Sequence, residues 1–463
     1  MADASDVEGG RRTTPASLYG LTPRLMAALA EALAADRDSH VRAFVRPLHP
    51  ADLADLIERL DEDDRQRLVR AIRDVFDPEC LPWLEDSVRE DVMDQLGMER
   101  VAEAVAELET DDAVEVLESL DALEQREVLR HIPAADRAVL EQGLTYPEDS
   151  AGRLMQRELV AVPPHWTVGQ TIDFLRSAAD LPDHFFDVFV IDPRHKAVGV
   201  VPVSRILRTK RPVRITDIMD RQFRRIPATA DQEEVGRLFK QYGLASAPVV
   251  DDDNRLVGVI TVDDAVHVLE EEAEEDLMSL GRVGGTNVNA SVMDTARTRI
   301  RWLLVTLVNT LIASTVISQF EATIERIVAL AVLMPIVAAM GGNAGMQVVT
   351  VVVRALATRD LAPDNVRRVV LKELGVGVLN GVVFASILGT VAGLWFADVR
   401  IGLVLAAAMV FNMVWAGLAG AMIPILIQRM KIDPAVGAGP FLTTTTDVLG
   451  FFSFLGLATL FLI

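Results

Sequence analysis

The stretch Gly439-Pro440-Phe441-Leu442-Thr443-Thr444-Thr445-Thr446-Asp447-Val448-Leu449-Gly450-Phe451-Phe452 decides how the chain is read. It lies within an apolar segment, Val436 to Ile463, whose single ionisable residue is Asp447. At helical rise, Asp447 falls roughly 16 Å in from Val436, near the middle of a bilayer. An ionised carboxylate at that depth costs several kcal/mol unless it meets water, a partner or a cation. Thr443, Thr444 and Gly450 stand at i−4, i−3 and i+3 and share its face. Hydroxyls, a carboxylate and a glycine on one stripe describe a wet, cation-attracting line through a membrane. A buried Asp bonded to neighbouring helices is the other reading of the same residues.

Four further apolar segments precede it, Trp302–Phe320, Ile327–Val353, Leu371–Phe396 and Ile401–Ile427, each near or above spanning length. Ten Lys and Arg residues border the ends on the N-terminal side, among them Arg297, Arg299, Arg301, Arg367 and Lys372, against Arg326 and Arg400 on the other. That bias puts the N-terminus in the cytoplasm and Ile463 outside. In the second segment Pro335 and the run Gly341-Gly342-Asn343-Ala344-Gly345-Met346-Gln347 predict a loosened helix that exposes backbone carbonyls. Asn343 and Gln347 sit at i,i+4 with amide oxygens able to meet a hydrated ion. Asn309, Asn380 and Asn412 are isolated and read as polar glue between helices.

The charge is unevenly placed. Residues 1–300 hold 59 acidic and 35 basic residues, a balance of −24; residues 301–463 hold 8 and 10, a balance of +2, together the whole-chain −22. An acidic, water-soluble half therefore precedes the membrane half. Such acidity excludes a nucleic-acid partner and suits metal cations. The one cysteine, Cys80, excludes an intramolecular disulfide and a cysteine-cluster metal site. The first residues, MADASDVEGGRR, lack the apolar core of a signal peptide. No phosphate-binding Walker loop or nucleophile–base constellation stands out, so no enzymatic chemistry is expected.

Residues 1–20 read as disordered. From 21 to 145, short amphipathic helices alternate with acidic turns: Leu53, Leu56, Ile57 and Leu60 share one face, and Val114, Leu117 and Leu120 repeat part of that spacing. Thr110 or Asp111 is the expected N-cap of the second of these. The recurrence predicts an α-solenoid. From 146 to 269 two β-α-β passages resemble each other, with strands at Val188–Asp192 and Pro248–Asp251, each followed by a Val-Gly-Val strand at 198–200 and 257–259. Glu270–Asp276 is an acidic run, either a solvated helix end or a divalent-cation site. Gly281 to Gly285 break that helix, and Ala290–Arg301 reads as a short helix running into the membrane.

The paired passages resemble tandem CBS domains, in which Thr261-x-x-Asp264 matches a signature that holds an adenosine ribose; the first repeat has Pro202 and Arg205 at those places. An N-cap by Thr261 is the other account of the same residues. The whole order resembles MgtE-family magnesium transporters: a Leu-rich acidic helical domain, the junction Tyr146–Met155, the CBS pair and five membrane helices. The motifs carrying it are Pro335 through Gln347, Leu371-Lys372-Glu373, and Asp433-Pro434-Ala435 through Pro440 to Asp447. The resemblance covers about residues 45–463.

It implies a multidomain α plus α/β membrane protein. Its parts would be a disordered N-terminus (1–20), an acidic helical domain (21–145), a CBS pair (146–269), an acidic linker with a short plug helix (270–301) and a five-helix pore (302–463). It implies a homodimeric, channel-like Mg2+ importer of the bacterial cytoplasmic membrane, with the pore on the dimer axis. Asp447 would bind the ion, with Thr443, Gly341 and Asn343 lining the same region. Regulatory Mg2+ would bridge Asp111, Glu115, Asp231, Glu233, Asp264, Glu272, Glu275 and Asp276, with Asp433 on the membrane side. ATP binds the CBS pair of some relatives, which would use Thr261 and Asp264 here. His267 and Gly243 stand where relatives can carry acids, which leaves the number of regulatory ions open. The competing readings are transport of Co2+ or Ni2+, Mg2+ efflux, and a membrane-anchored CBS metal or nucleotide sensor.

Overall fold

The computed structural model describes residues 21–178, 181–182, 184–283, 292–361 and 364–463. The expectation for residues 1–20 falls outside them, as do Gly284 and Gly285 of the expected helix break and Ala290 and Ser291 of the expected plug helix. The chain divides into two compact units, Met1–Glu272 and Ala273–Ile463.

The first unit begins with short helices from Pro23–Ala34 to Ala134–Gly143 around one apolar core. Their starts are capped as the sequence dictates. Thr22 accepts from the Leu25 N–H at 3.2 Å, Asp61 from Asp64, and Asp121 with Glu124 forms a capping box. Leu53, Leu56 and Ile57 are buried, as are Val114, Leu117 and Leu120. The expected cap at Thr110 or Asp111 is one residue late: Glu109 is the N-cap of Thr110–Glu118 and makes no side-chain cap bond. The Thr110 hydroxyl donates to Glu158 at 2.7 Å, a tertiary bond that orients it away from the helix start.

The two repeats follow. Strands β1 (Ala161–Val162), β2 (Asp187–Ile191) and β3 (Ala197–Pro202) form one sheet, and β4 (Ile226–Pro227), β5 (Ser246–Val250) and β6 (Leu256–Thr261) another. In each, the first pair is parallel and the second antiparallel, with a register shift at the end of the middle strand. The hairpins match atom for atom in kind. Asp192 Oδ1 accepts from the N–H groups of Arg194 and Lys196, and Asp251 Oδ1 from those of Asp253 and Arg255. His195 (φ 60°) and Asn254 (φ 61°) take the same left-handed corner. This is Asx-turn chemistry used twice.

Among the described residues of the second unit five helical stretches are long and apolar enough to cross a membrane: Thr295–Ser318, Ala329–Ala357, Val366–Trp395, Val399–Arg429 and Pro434–Leu462. The described part of Ala290–Arg301 runs straight into the first span as one helix, as its sequence suggests. One expectation needs correction: the second span is unbroken through Pro335 and Gly341–Gln347. In a membrane the helix is the only local way to satisfy the backbone, and close neighbours replace what glycine lacks in side-chain packing. A Cβ on Gly341 would lie 2.3 Å from Asn412 Nδ2, and one on Gly417 would lie 2.7 Å from the Glu373 carbonyl oxygen. Asn412, fully buried, donates to the Val337 carbonyl at 2.8 Å, and Asn309 to the Pro440 carbonyl at 3.3 Å, as polar glue does.

Candidate functional site

The membrane site is built on the last span. Asp433 caps its start, accepting from the Ala435 N–H at 2.8 Å. The following threonines turn their hydroxyl protons onto their own helix. Thr443 donates to the Gly439 carbonyl, Thr444 to that of Pro440, and Thr445 and Thr446 to that of Leu442, at 2.8–3.0 Å. With the protons engaged, the hydroxyl lone pairs remain as acceptors, which suits a cation or its water shell. Asp447 is half-buried one turn beyond Thr443. On the second span Asn343 and Gln347 are exposed on an otherwise apolar helix, a face that lipid would penalise. Gly341 points elsewhere: it is buried against Asn412, and its part is close packing.

The second candidate lies within the first unit. A cavity of about 380 Å³ separates the helix Thr110–Glu118 from the start of Val262–Gly281. Asp111, Asp112 and Glu115 face it from one side, Asp264 and Glu271 from the other, with His267 edge-on to Trp83 at a centroid distance of 6.2 Å. Burial, then Asp264 and Asp112, push the Asp111 carboxyl well above the usual range. Burial and Glu115 raise Asp112 to about 7, and burial and Asp263 raise Asp264 to about 6. Glu109 and Glu271 are raised chiefly by burial. Asp111 is only 9% exposed, and its Oδ1 has no hydrogen-bond partner. A buried carboxylate oxygen left without a donor costs about 1–3 kcal/mol or more, which a bound cation would offset.

Some of the charge is already answered. Arg89, 4% exposed, holds Glu115 at 2.6 Å, and Arg153 holds Glu118. Thr261 and Asp264 close on each other: the Thr261 hydroxyl and N–H both donate to Asp264 Oδ2, at 2.8 and 3.1 Å. The hydroxyl also donates to Asp263. Thr261 therefore donates where a side-chain N-cap would accept. Among the described residues no group of three or more His, Cys, Asp or Glu side chains is arranged to hold a bare ion. Mg2+ keeps several waters and needs only one or two carboxylates, so a hydrated Mg2+ fits this cleft.

Of the expected regulatory ligands, the cleft gathers Asp111, Glu115 and Asp264. Asp231 and Glu233 are exposed at another helix start, where Asp231 accepts from the Glu233 N–H as the N-cap. Glu272 accepts from Gln232 Nε2 at 2.8 Å, and Glu275 is exposed. Asp276 and Asp433 come together within the second unit, where burial first and then Asp433 raise the Asp276 carboxyl. Sequence reasoning missed Asp112, Glu109 and Asp263, at which only the Asp-Asp doublets, Asp111-Asp112 and Asp263-Asp264, hinted; Glu271 lay within the acidic run Glu270–Asp276, read as a solvated helix end or a divalent-cation site.

Comparison with known proteins finds the same domains in the same order. Family models match as CBS domain over residues 151–211 and 215–271, as MgtE intracellular N domain over 48–149, and as divalent cation transporter over 334–457. A magnesium transporter MgtE of Thermus thermophilus is 33% identical over 95% of this chain and 99% of its own. One of Bacillus subtilis is 30% identical over 92% and 95%. A solved cytosolic domain of the Mg2+ channel MgtE in complex with ATP is 29% identical, covering 52% of this chain and 99% of that chain at a TM-score of 0.49.

Proposed function

Because the chain belongs to the MgtE family of magnesium transporters, a multi-pass membrane and non-enzymatic family, we propose that it is a Mg2+-selective, channel-like importer closed by cytosolic Mg2+. The observation that carries the transport half is Asp447, a half-buried carboxylate at mid-membrane depth beside acceptor-only threonine oxygens. In a two-fold dimer whose axis passes close to it, two such carboxylates face each other. Two negative charges favour a divalent over a monovalent ion. Oxygen donors favour Mg2+ over Co2+ or Ni2+, which prefer imidazole or thiolate. Asn343 and Gln347 complete a polar face that a mere membrane anchor does not need.

The regulatory half rests on the cleft. Without a divalent ion its carboxylates repel, and the open arrangement is favoured; Mg2+ bridging them stabilises only the compact one. The helix Val262–Gly281 carries Asp264 and Glu271 in its first part and Asp276 further along. The N-terminus and both soluble domains belong on the cytoplasmic side of the bacterial inner membrane, and Ile463 outside. The domain division at 145, 269 and 301 is kept with this reading. ATP would enter at Thr261 and Asp264 only after their mutual hydrogen bonds open, so nucleotide and Mg2+ would compete for Asp264.

Flux into liposomes holding the purified protein tests the reading. Mg2+ uptake that exceeds Co2+ and Ni2+ uptake is expected. No metal flux would leave a sensor, and preferred Co2+ or Ni2+ would leave another transporter. A cysteine at Thr444 should crosslink two copies; Cys80 is fully buried and need not interfere.

A further inference from the structure

At the basic end of the membrane unit, a second cavity of about 350 Å³ is lined by two arginines, Arg282 and Arg301, and by the hydroxyl-bearing Ser279 and Thr298. Its apolar wall is Trp302, Val305 and Val436. No carboxylate is among these lining residues. Arg282 follows the helix Val262–Gly281 with φ 59°, a left-handed conformation that costs a residue with a Cβ about 1–2 kcal/mol. Its N–H closes the turn onto the Ser279 carbonyl at 3.1 Å. The side chain turns inward against the last span, where its Nη2 lies 2.8 Å from the point a Cβ on Gly439 would occupy. A side chain at 439 would displace the end of the guanidinium from this position.

Arg282 is about half-buried, and burial alone lowers its pKa. No ion pair to it is found among the described residues. A partly desolvated cation with five donors and no acceptor partner among the described residues is an unusual thing to build by a strained turn. Arg301 and Trp302 add a second fork and an aromatic ring of the type that sits at the headgroup level. Basic pockets between membrane helices take phosphate-bearing headgroups.

We propose that this cavity binds a phosphate-bearing anion, with Arg282 and Arg301 holding the phosphate oxygens and Trp302, Val305 and Val436 receiving the apolar part of an anionic phospholipid. Arg forks match phosphate in pairs, and the apolar wall suits a lipid better than a free ion.

The test uses the full-length protein in detergent after delipidation. Its thermal midpoint is followed against phosphatidylglycerol, phosphatidylcholine and inorganic phosphate. Phosphatidylglycerol should raise the midpoint of the wild type, and phosphatidylcholine should not. Arg282→Gln and Arg301→Gln should each raise the lipid concentration needed by about tenfold or more, the scale of one lost hydrogen bond to a charged group. Arg282→Lys should recover part of the response. Arg299, exposed on the same helix and outside the cavity lining, supplies the charge control, and Arg299→Gln should respond like wild type. Protection by inorganic phosphate that is equally sensitive to Arg282→Gln would keep the site and make its occupant a soluble anion. Undiminished lipid protection in Arg282→Gln plus Arg301→Gln overturns the proposal. So does a loss in Arg299→Gln as large as in Arg301→Gln, or no protection by either anion.

Discussion

Ten carboxylates share the cleft of the soluble unit with two arginines, whereas the last membrane span carries a single carboxylate among hydroxyls. The cleft is a crowd in which burial and mutual repulsion push several groups upward together, so its charge is distributed and any one member is partly redundant. Asp447 has no neighbour of its kind within the span. Its removal cannot be made up, and its own charge is the site. Under the proposed function, the comparison separates the element assigned to sensing an ion from the one assigned to passing it.

The largest effect is expected where there is no redundancy. Asp447→Ala should reduce Mg2+ flux in liposomes to background while the protein keeps its elution volume and thermal midpoint. The next is collective. Asp111→Asn, Asp112→Asn and Asp264→Asn together should raise the Mg2+ concentration that closes the pore by tenfold or more, about 1.4 kcal/mol of lost differential binding. Each alone should do less. Equal effects of one and three changes would break the picture of a distributed sensor.

A pH series sharpens the contrast. Asp112 and Asp264 titrate near 7 and 6 in the folded cleft, against about 3.9 in an unfolded chain. The folded state thus holds protons that the unfolded state has released. Their contribution to stability is fully present below about pH 4 and is lost as pH rises through 6 to 7. Metal-free protein should therefore show faster hydrogen exchange in Thr110–Glu118 and the start of Val262–Gly281 at pH 8 than at pH 5. Millimolar Mg2+ should remove most of that difference.

Two smaller effects mark the edges. Gly341→Val places a side chain where Asn412 stands and should cost about 1–3 kcal/mol of stability, read as a lower thermal midpoint, without moving the Mg2+ response of the cleft. Asp276→Asn relieves a half-buried repulsion with Asp433 and should change the closing concentration by only about twofold, as a partly screened charge pair would.

Much of this was readable from residue order. The Asp447 stripe, the five spans and the hairpins at Asp192 and Asp251 follow from local chemistry: apolar length, side-chain period and turn residues. The unbroken second span was not readable, because Gly341 and Gly345 look like breakers until Asn412 and Leu442 are seen packed on them. Asp112 gave no sign of its place in the cleft, since its partial burial is set by a segment far along the chain. Gly439 carried no reading of its own in the sequence, and only the fold shows Arg282 filling the space beside it.

The division of labour between cleft and span is tested most directly by one flux measurement with two internal conditions. Liposomes holding wild type, Asp447→Ala or the triple cleft variant are loaded with either micromolar or millimolar Mg2+ on the face exposing the soluble unit, and isotopic Mg2+ uptake is followed. Wild type should conduct at micromolar and close at millimolar Mg2+, the cleft variant should conduct at both, and Asp447→Ala at neither. A cleft variant that closes with wild type, or an Asp447→Ala protein that still conducts at micromolar Mg2+, would contradict the account.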